Sequence, residues 1–352
     1  MHVKRSCIIM VVMLIIIICT GQSMLFAGSE RGKETAVEEK APVLEEKAEK
    51  KTIEPAKEYK VPLLLFTRQS EFMVALDEAF TQEAKKLGME PYILDGQWQS
   101  NVQISQMEDV IAKGVAAIGI SPIDSVEIIP GIKKANMEGI PVFTTDAPAS
   151  GGEIAGHVGF DNFEGGRAAA LWLGERLNGK GTVLELGGSL GQYHAEMRHK
   201  GFQDGMKEYP GIKVIYKVCD WQADKAQAAT MDVFSAKPDV DAIFAASDNM
   251  LVGADPALRA LGKLKKVGDP GHVVVVGIDA APSTVKRIKE GFQDASVEQD
   301  PNKMGKLLAQ NIYRELHGEY YAKKIFLQPT VVTKENAYDS KRWANIFSKK
   351  HK

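Results

Sequence analysis

Apolar residues in this chain gather into short unbroken runs separated by amphipathic stretches, an alternation that begins near residue 60. The run at 272–282, HVVVVGIDAAP, has four consecutive valines and an isoleucine. A near-continuous run of this kind describes a strand buried on both faces, as in a parallel sheet covered by helices. The run stops at Asp279, and Pro282 forbids its continuation. A carboxylate therefore stands just past the carboxyl end of a core strand, the edge at which open α/β sheets bind ligands. The same device recurs at 139–148, GIPVFTTDAP, which delivers Asp146.

Extending the pattern in both directions gives strands at 61–66, 91–94, 115–120 and 140–144, with helices at 72–87, 102–112 and 125–137 between them. In the first helix Phe72, Leu76, Phe80 and Leu87 recur at helical spacing and Gly88 closes the run. A second pass follows. Helices at 165–177, 195–208, 225–235 and 251–261 alternate with strands at 182–186, 213–218, 242–246 and 273–278. The passes match locally: AKGVAAIGIS (112–121) parallels AKPDVDAIFAAS (236–247), and YILDGQW (92–98) parallels IYKVCDW (215–221). The expected fold class is α/β, with two similar doubly wound parallel-sheet lobes built from right-handed crossovers. A helix at 284–290 and an extended run at 294–299 come next. They are followed by a helix at 301–316, capped by Asp300 with Pro301 in its first turn, and a last strand at 324–332. This tail exceeds what the second lobe needs, so it is expected to cross between lobes.

Composition narrows the functional classes. The net charge of −2 leaves no basic excess to hold phosphates, which argues against nucleic-acid binding. Residues 1–27 read as an export signal, with Lys4 and Arg5 before an apolar core at 7–18 and cleavage near Ala27. That core falls short of the roughly twenty residues needed to span a bilayer. Lipid attachment at Cys19 is disfavoured because Ile18 stands where a small residue is wanted. Residues 28–59 alternate Glu and Lys with Ala and Pro, and a linker of this kind cannot bury enough surface to offset ordering. Two of the three cysteines fall in the signal, so Cys219 remains without a partner for a disulfide.

The chemistry is narrower still. The turn after the first strand, TRQSEF (67–72), has no glycine to admit a pyrophosphate, and Gly187, Gly188 and Gly191 lack the dinucleotide spacing. His194 and His199 in HAEMRH are five residues apart, do not share a helical face and have no third ligand, so no metal site is expected. An enzymatic reading would place acid and base roles on Asp146 and Asp279. Polyol binding suits these residues better. A carboxylate accepts charge-assisted bonds from adjacent hydroxyls, an arginine supplies a fixed fork of donors, and aromatic faces cover the C–H side of a sugar. Asp146, Asp279, Arg198, Phe72 and Trp221 are the candidates at the strand ends. Taken singly, each has a plainer role as helix cap, solvated charge or core aromatic.

Seven stretches in order carry a resemblance: LFTRQSEFMVALDEAF, IPVFTTDAP, GFDNFEGGRAAA, AEMRHKGF, FAASDNM, VVVVGIDAAP and SVEQDPNKMG. Over residues 60–334 the chain resembles the type 1 periplasmic sugar-binding proteins, the ribose-binding group most of all. The resemblance implies two lobes joined by a multi-strand hinge, 60–160 with 300–322 and 161–299 with 323–340. It implies that Phe72 and Met73 sandwich a sugar and that Trp221 closes the other side. Asp146 and Asp279 would accept from hydroxyls, Arg198 would donate, and Gln299 would be the hinge glutamine. Ser70 and Ser247 stand where ribose binders carry asparagine, Ala147 where they carry arginine, and Met73 where they carry an aromatic residue. A pentose, a hexose and a cyclic polyol all stay open as ligands. The implied role is a monomeric extracytoplasmic solute-binding protein, at the periplasm or outer face of the cell membrane, that delivers its sugar to an ABC permease. No cofactor, metal or catalysis is implied. The alternatives are a receptor for a chemoreceptor or sensor kinase and, less favoured without a leading helix-turn-helix, a repressor-type sensing domain.

Overall fold

The computed structural model describes residues 59–351, so the expected signal and most of the linker lie outside the described residues. The elements run β1 (Tyr59–Leu65), α1 (Glu71–Lys86), β2 (Met89–Asp95), α2 (Ser100–Ala112), β3 (Ile118–Ile120), α3 (Ile129–Met137), β4 (Val142–Thr145) and β5 (Gly156–Phe160). A second series follows: α4 (Asn162–Arg176), β6 (Lys180–Gly187), α5 (Tyr193–Met206), β7 (Gly211–Val218), α6 (Ala223–Ala236), β8 (Ala242–Ala245), α7 (Asp248–Ala260) and β9 (Val274–Asp279). The remainder is α8 (Pro282–Glu290), β10 (Ala295–Glu298), α9 (Pro301–Leu316), β11 (Lys324–Leu327), β12 (Thr330–Thr333) and α10 (Trp343–Lys350).

Two six-stranded sheets result, ordered β11-β5-β4-β3-β1-β2 and β12-β10-β9-β8-β6-β7. The orders are equivalent strand for strand, which gives the local sequence matches a structural basis. Pairing is parallel except that β12 runs antiparallel to β10. The valine run of β9 is buried between neighbours β8 and β10, as its two-sided apolar character requires. Helix α9 returns to the first lobe, where Met304, Leu308, Ala309 and Ile312 complete the core of Val61, Leu63, Leu65, Leu76 and Phe80. Among the described residues no helix is long and apolar enough to cross a membrane.

The chain crosses between lobes three times, after β5, after β10 and between β11 and β12. Two crossings begin with an aspartate that caps the helix beyond: Asp161 accepts from the Glu164 amide and Asp300 from the Lys303 amide, both at 3.1 Å. Three stretches depart from the sequence pattern. GHVGF at β5 is a strand that its glycines disguised. The single last strand at 324–332 is two strands in different sheets, separated at Gln328–Pro329, because proline cannot donate to a ladder. Residues 324–327 thus join the first sheet, and the last crossing falls after residue 327, not near 322. The third, α10, lies in a stretch that the sequence pattern left without an element.

Candidate functional site

Asp279 ends β9 at the carboxyl edge of the second sheet, and Asp146 follows β4 at the same edge of the first. Both tips have backbone that side chains rarely adopt: φ is +61° at Asp146, +122° at Asp279 and +49° at Ala280. Strain of this kind persists only where surroundings impose it, and it clusters at functional sites. At the second tip the imposing groups are visible. The Ala280 amide donates to Ser296 Oγ at 2.9 Å, and the Ala281 amide to Asp248 Oδ2 at 3.3 Å. Ser296 Oγ in turn donates to Asp248 at 2.8 Å. Glycine in the valine strand makes this possible, since a Cβ at Gly277 would stand 2.0 Å from Asp248 Oδ1.

Around the Asp279 carboxylate, Ser247 Oγ donates at 2.7 Å and Gln299 Nε2 at 2.9 Å, while Arg198 Nη1 stands at 3.5 Å. The guanidinium is buried. Its Nε donates to Asn162 Oδ1 at 2.8 Å, Nη1 donates to the Ala246 carbonyl at 2.6 Å, and it lies 5.8 Å from the centre of the Trp221 ring. Trp221 reaches that position because Gly188 has no side chain: a Cβ there would meet the indole at 2.1 Å. The glycine pair after β6 therefore makes room for an aromatic ring. Gln299 Oε1 is buried without a hydrogen-bond partner among the described residues, an acceptor open to a hydroxyl.

Asp146 meets the second lobe directly. His194 Nε2, on α5, stands 3.4 Å from Asp146 Oδ1, an ion-pair distance, and Ser121 Oγ lies 3.5 Å from the other oxygen. Burial pushes the Asp146 carboxyl up, but His194, Arg198 and His157 outweigh it and hold the group below the usual carboxylate range. Asp279 goes the other way. Burial raises it and the charge of Asp146 adds to the rise, against the opposing pull of Arg198, Ser247 and Gln299. The two carboxylates thus sense each other across the lobes.

His157 on β5 bonds Thr144 Oγ1 at 2.9 Å, and burial drives its imidazole down to about 4, against the pull of Asp146. Its folded value lies below the ordinary 6.5, so the unfolded chain binds more protons between those limits. Stability from this group is fully present above pH 6.5 and is lost as pH falls towards about 4. His157→Gln should flatten the acid limb of a melting-temperature profile over that window; an unchanged limb would clear His157 of the role.

Asp279, Arg198, Ser247, Gln299 and Trp221 form one contact network, and Asp146 is tied to it by the charge of Arg198. Phe72 is one step removed, packing edge-on against Trp343 at 6.3 Å, whose Nε1 donates to the Asp279 carbonyl. Ser70 is the residue before α1, and its side chain makes no cap bond there. Met73 is fully buried in the first lobe's core with Leu65, Leu76 and Phe80; its flexible thioether suits an interior gap. Sequence reasoning missed His194, Asn162, Ser121, Asp248 and Trp343. Asn162 lies within the GFDNFEGG stretch and was within reach; His194 drew notice only as a failed metal ligand. His199 takes a different partner, Glu185 at 2.8 Å, which is why the two histidines do not act together.

The sequence profile described as a periplasmic binding protein domain matches residues 61–320. The chain belongs to this family. It is similar to the ribose import binding protein RbsB of Bacillus subtilis, 33% identical over 270 residues, covering 76% of this chain and 85% of the relative. The Escherichia coli protein of the same name is 30% identical over 275 residues, 78% of this chain and 90% of its own. Among solved structures, an ABC transporter solute-binding protein of Actinobacillus succinogenes with bound D-allose superposes with a TM-score of 0.74 at 28% identity, covering 80% of this chain and 99% of that one. A myo-inositol-bound protein of Bacillus halodurans gives 0.73 at 25% identity, covering 80% and 96%. The two-lobed architecture is shared with these solved structures over 96–99% of their chains.

Proposed function

We propose that this periplasmic binding protein closes on a small neutral sugar or cyclic polyol outside the cytoplasm and presents it to an ABC permease. The observation that carries the reading is the pair of carboxylates, one from each lobe, held at the cleft by Arg198 and His194. A ligand that bonds to Asp146 and Asp279 together does so only when the lobes are shut, so it favours that state by differential affinity. Ser247, Gln299 and Arg198 already direct donors at Asp279, which leaves its remaining lone pairs to hydroxyls. Trp221 offers an apolar face beside them. Allose and myo-inositol, bound by similar proteins, are both ring polyols rich in adjacent hydroxyls. A pentose has about ten heavy atoms, enough at the ceiling for small ligands to reach sub-micromolar affinity.

The reading includes a monomer, an extracytoplasmic location and binding without turnover. Delivery to a chemoreceptor or sensor kinase would use the same closed surface. A thermal-shift panel of pentoses, hexoses, inositols and signalling furanoses should find one class that raises the melting temperature by several degrees. Stabilisation by none of them would remove the sugar reading, and chemical change of the bound compound would remove the claim of binding without turnover.

A further inference from the structure

Helix α10 lies outside both sheets and beyond the residues matched by the family profile, yet it touches both lobes. Its first residue, Trp343, is completely buried. The indole donates to the Asp279 carbonyl at 3.0 Å and packs with Ala280, Val285 and Ile288 of the second lobe. The same cluster takes in Ala75 of α1, and Phe72 meets the indole edge-on. Arg342, just before the helix, donates to Glu298 of β10 at 2.7 Å, and Asn345 accepts from Lys289 of α8 at 2.7 Å, so the helix is rooted in the second lobe. Its far end reaches the first: Lys350 Nζ stands 2.8 Å and His351 Nε2 3.1 Å from the Glu78 carboxylate on α1.

These contacts are made at two heights along one helix, and both are lost if α1 and α8 separate. Burial of the apolar cluster and pairing of Glu78 therefore favour the shut arrangement before any ligand arrives, and a ligand then has less of the closure free energy to supply. Trp343 also fixes two parts of the candidate site at once, the strained Asp279 peptide and the Phe72 ring. We propose that Trp343 is a positioning residue of the ligand site and that α10 straps the second lobe to the first, setting ligand affinity through the closed state. The affinity half of this proposal rests on the sugar-binding reading; the strap itself does not.

The test uses the processed full chain with D-ribose, D-allose and myo-inositol as probes, at low salt where exposed pairs are least screened. Glu78→Lys faces Lys350 and His351 with a like charge. It should enlarge the radius of gyration of the ligand-free protein in solution scattering and weaken binding of the best probe threefold or more. Lys350→Glu in the same chain should restore both. Trp343→Ala should weaken binding tenfold or more, and Trp343→Phe, which keeps the ring but loses the donor to Asp279, should fall between. If Trp343→Ala does not fold, the charge pair decides. An unchanged radius and unchanged affinity in Glu78→Lys would overturn the strap. If no probe binds the unaltered protein, the sugar reading is at fault, and the ligand-free radius still decides the strap.

Discussion

Asp279→Ala should leave a folded protein whose melting temperature no longer responds to any sugar. Asp279 is the acceptor on which Ser247, Gln299 and Arg198 converge. Its loss removes the second lobe's hold on ligand hydroxyls, and one charge-assisted bond at about 1.5–3 kcal/mol implies an affinity loss of at least roughly tenfold. The fold should tolerate the change for two reasons. Burial already opposes charge at this position, against the pull of Arg198, Ser247 and Gln299. Arg198 also keeps Asn162 and the Ala246 carbonyl as partners. Calorimetric titration beside thermal unfolding separates the two effects. A full ligand-induced shift in the variant would place the binding site elsewhere.

Arg198→Ala should damage both stability and binding. The guanidinium is buried, and removing it strands Asn162 Oδ1, the Ala246 carbonyl and the Asp279 carboxylate without their donor. Breaking a buried pair from one side costs about 3–5 kcal/mol, and the lower end applies because Asp279 retains Ser247 and Gln299. Arg198→Lys should not rescue it, since an ammonium cannot supply the planar fork that spans Asn162 and Ala246. Denaturant unfolding reads the first effect and ligand titration the second. A variant of normal stability would show that the network is not what holds the guanidinium's neighbours in place.

The doubly wound alternation was legible because each buried strand is a run with one apolar character and each helix keeps one stripe. Asp279 and Asp146 could be found because they interrupt such runs with a charge. β5 could not, since GHVGF offers one valine and one phenylalanine between glycines, and its pairing with β4 and β11 comes from register with distant strands. β11 and β12 merged for a related reason: their shared apolar character hides the fact that they belong to different sheets. His194 was unreadable as a partner of Asp146 because their contact exists only once two lobes meet. Trp343 sits in a short, basic, weakly patterned stretch, and its burial depends on α1 and α8, which are distant in sequence and belong to different lobes. Phe72 packs against both Trp343 and the first lobe's core, while its neighbour Met73 is buried wholly within that core.

The three crossings have a consequence for the order in which this chain is made. The first lobe's core waits for Met304, Leu308 and Ile312, and its sheet waits for β11. The second lobe's sheet is not complete until β12 pairs with β10. Synthesis proceeds from the amino end, so the first lobe cannot finish before residues 324–327 have emerged, nor the second before residues 330–333. The two halves are interleaved rather than sequential, and both sheets become completable within the same few residues of growing chain.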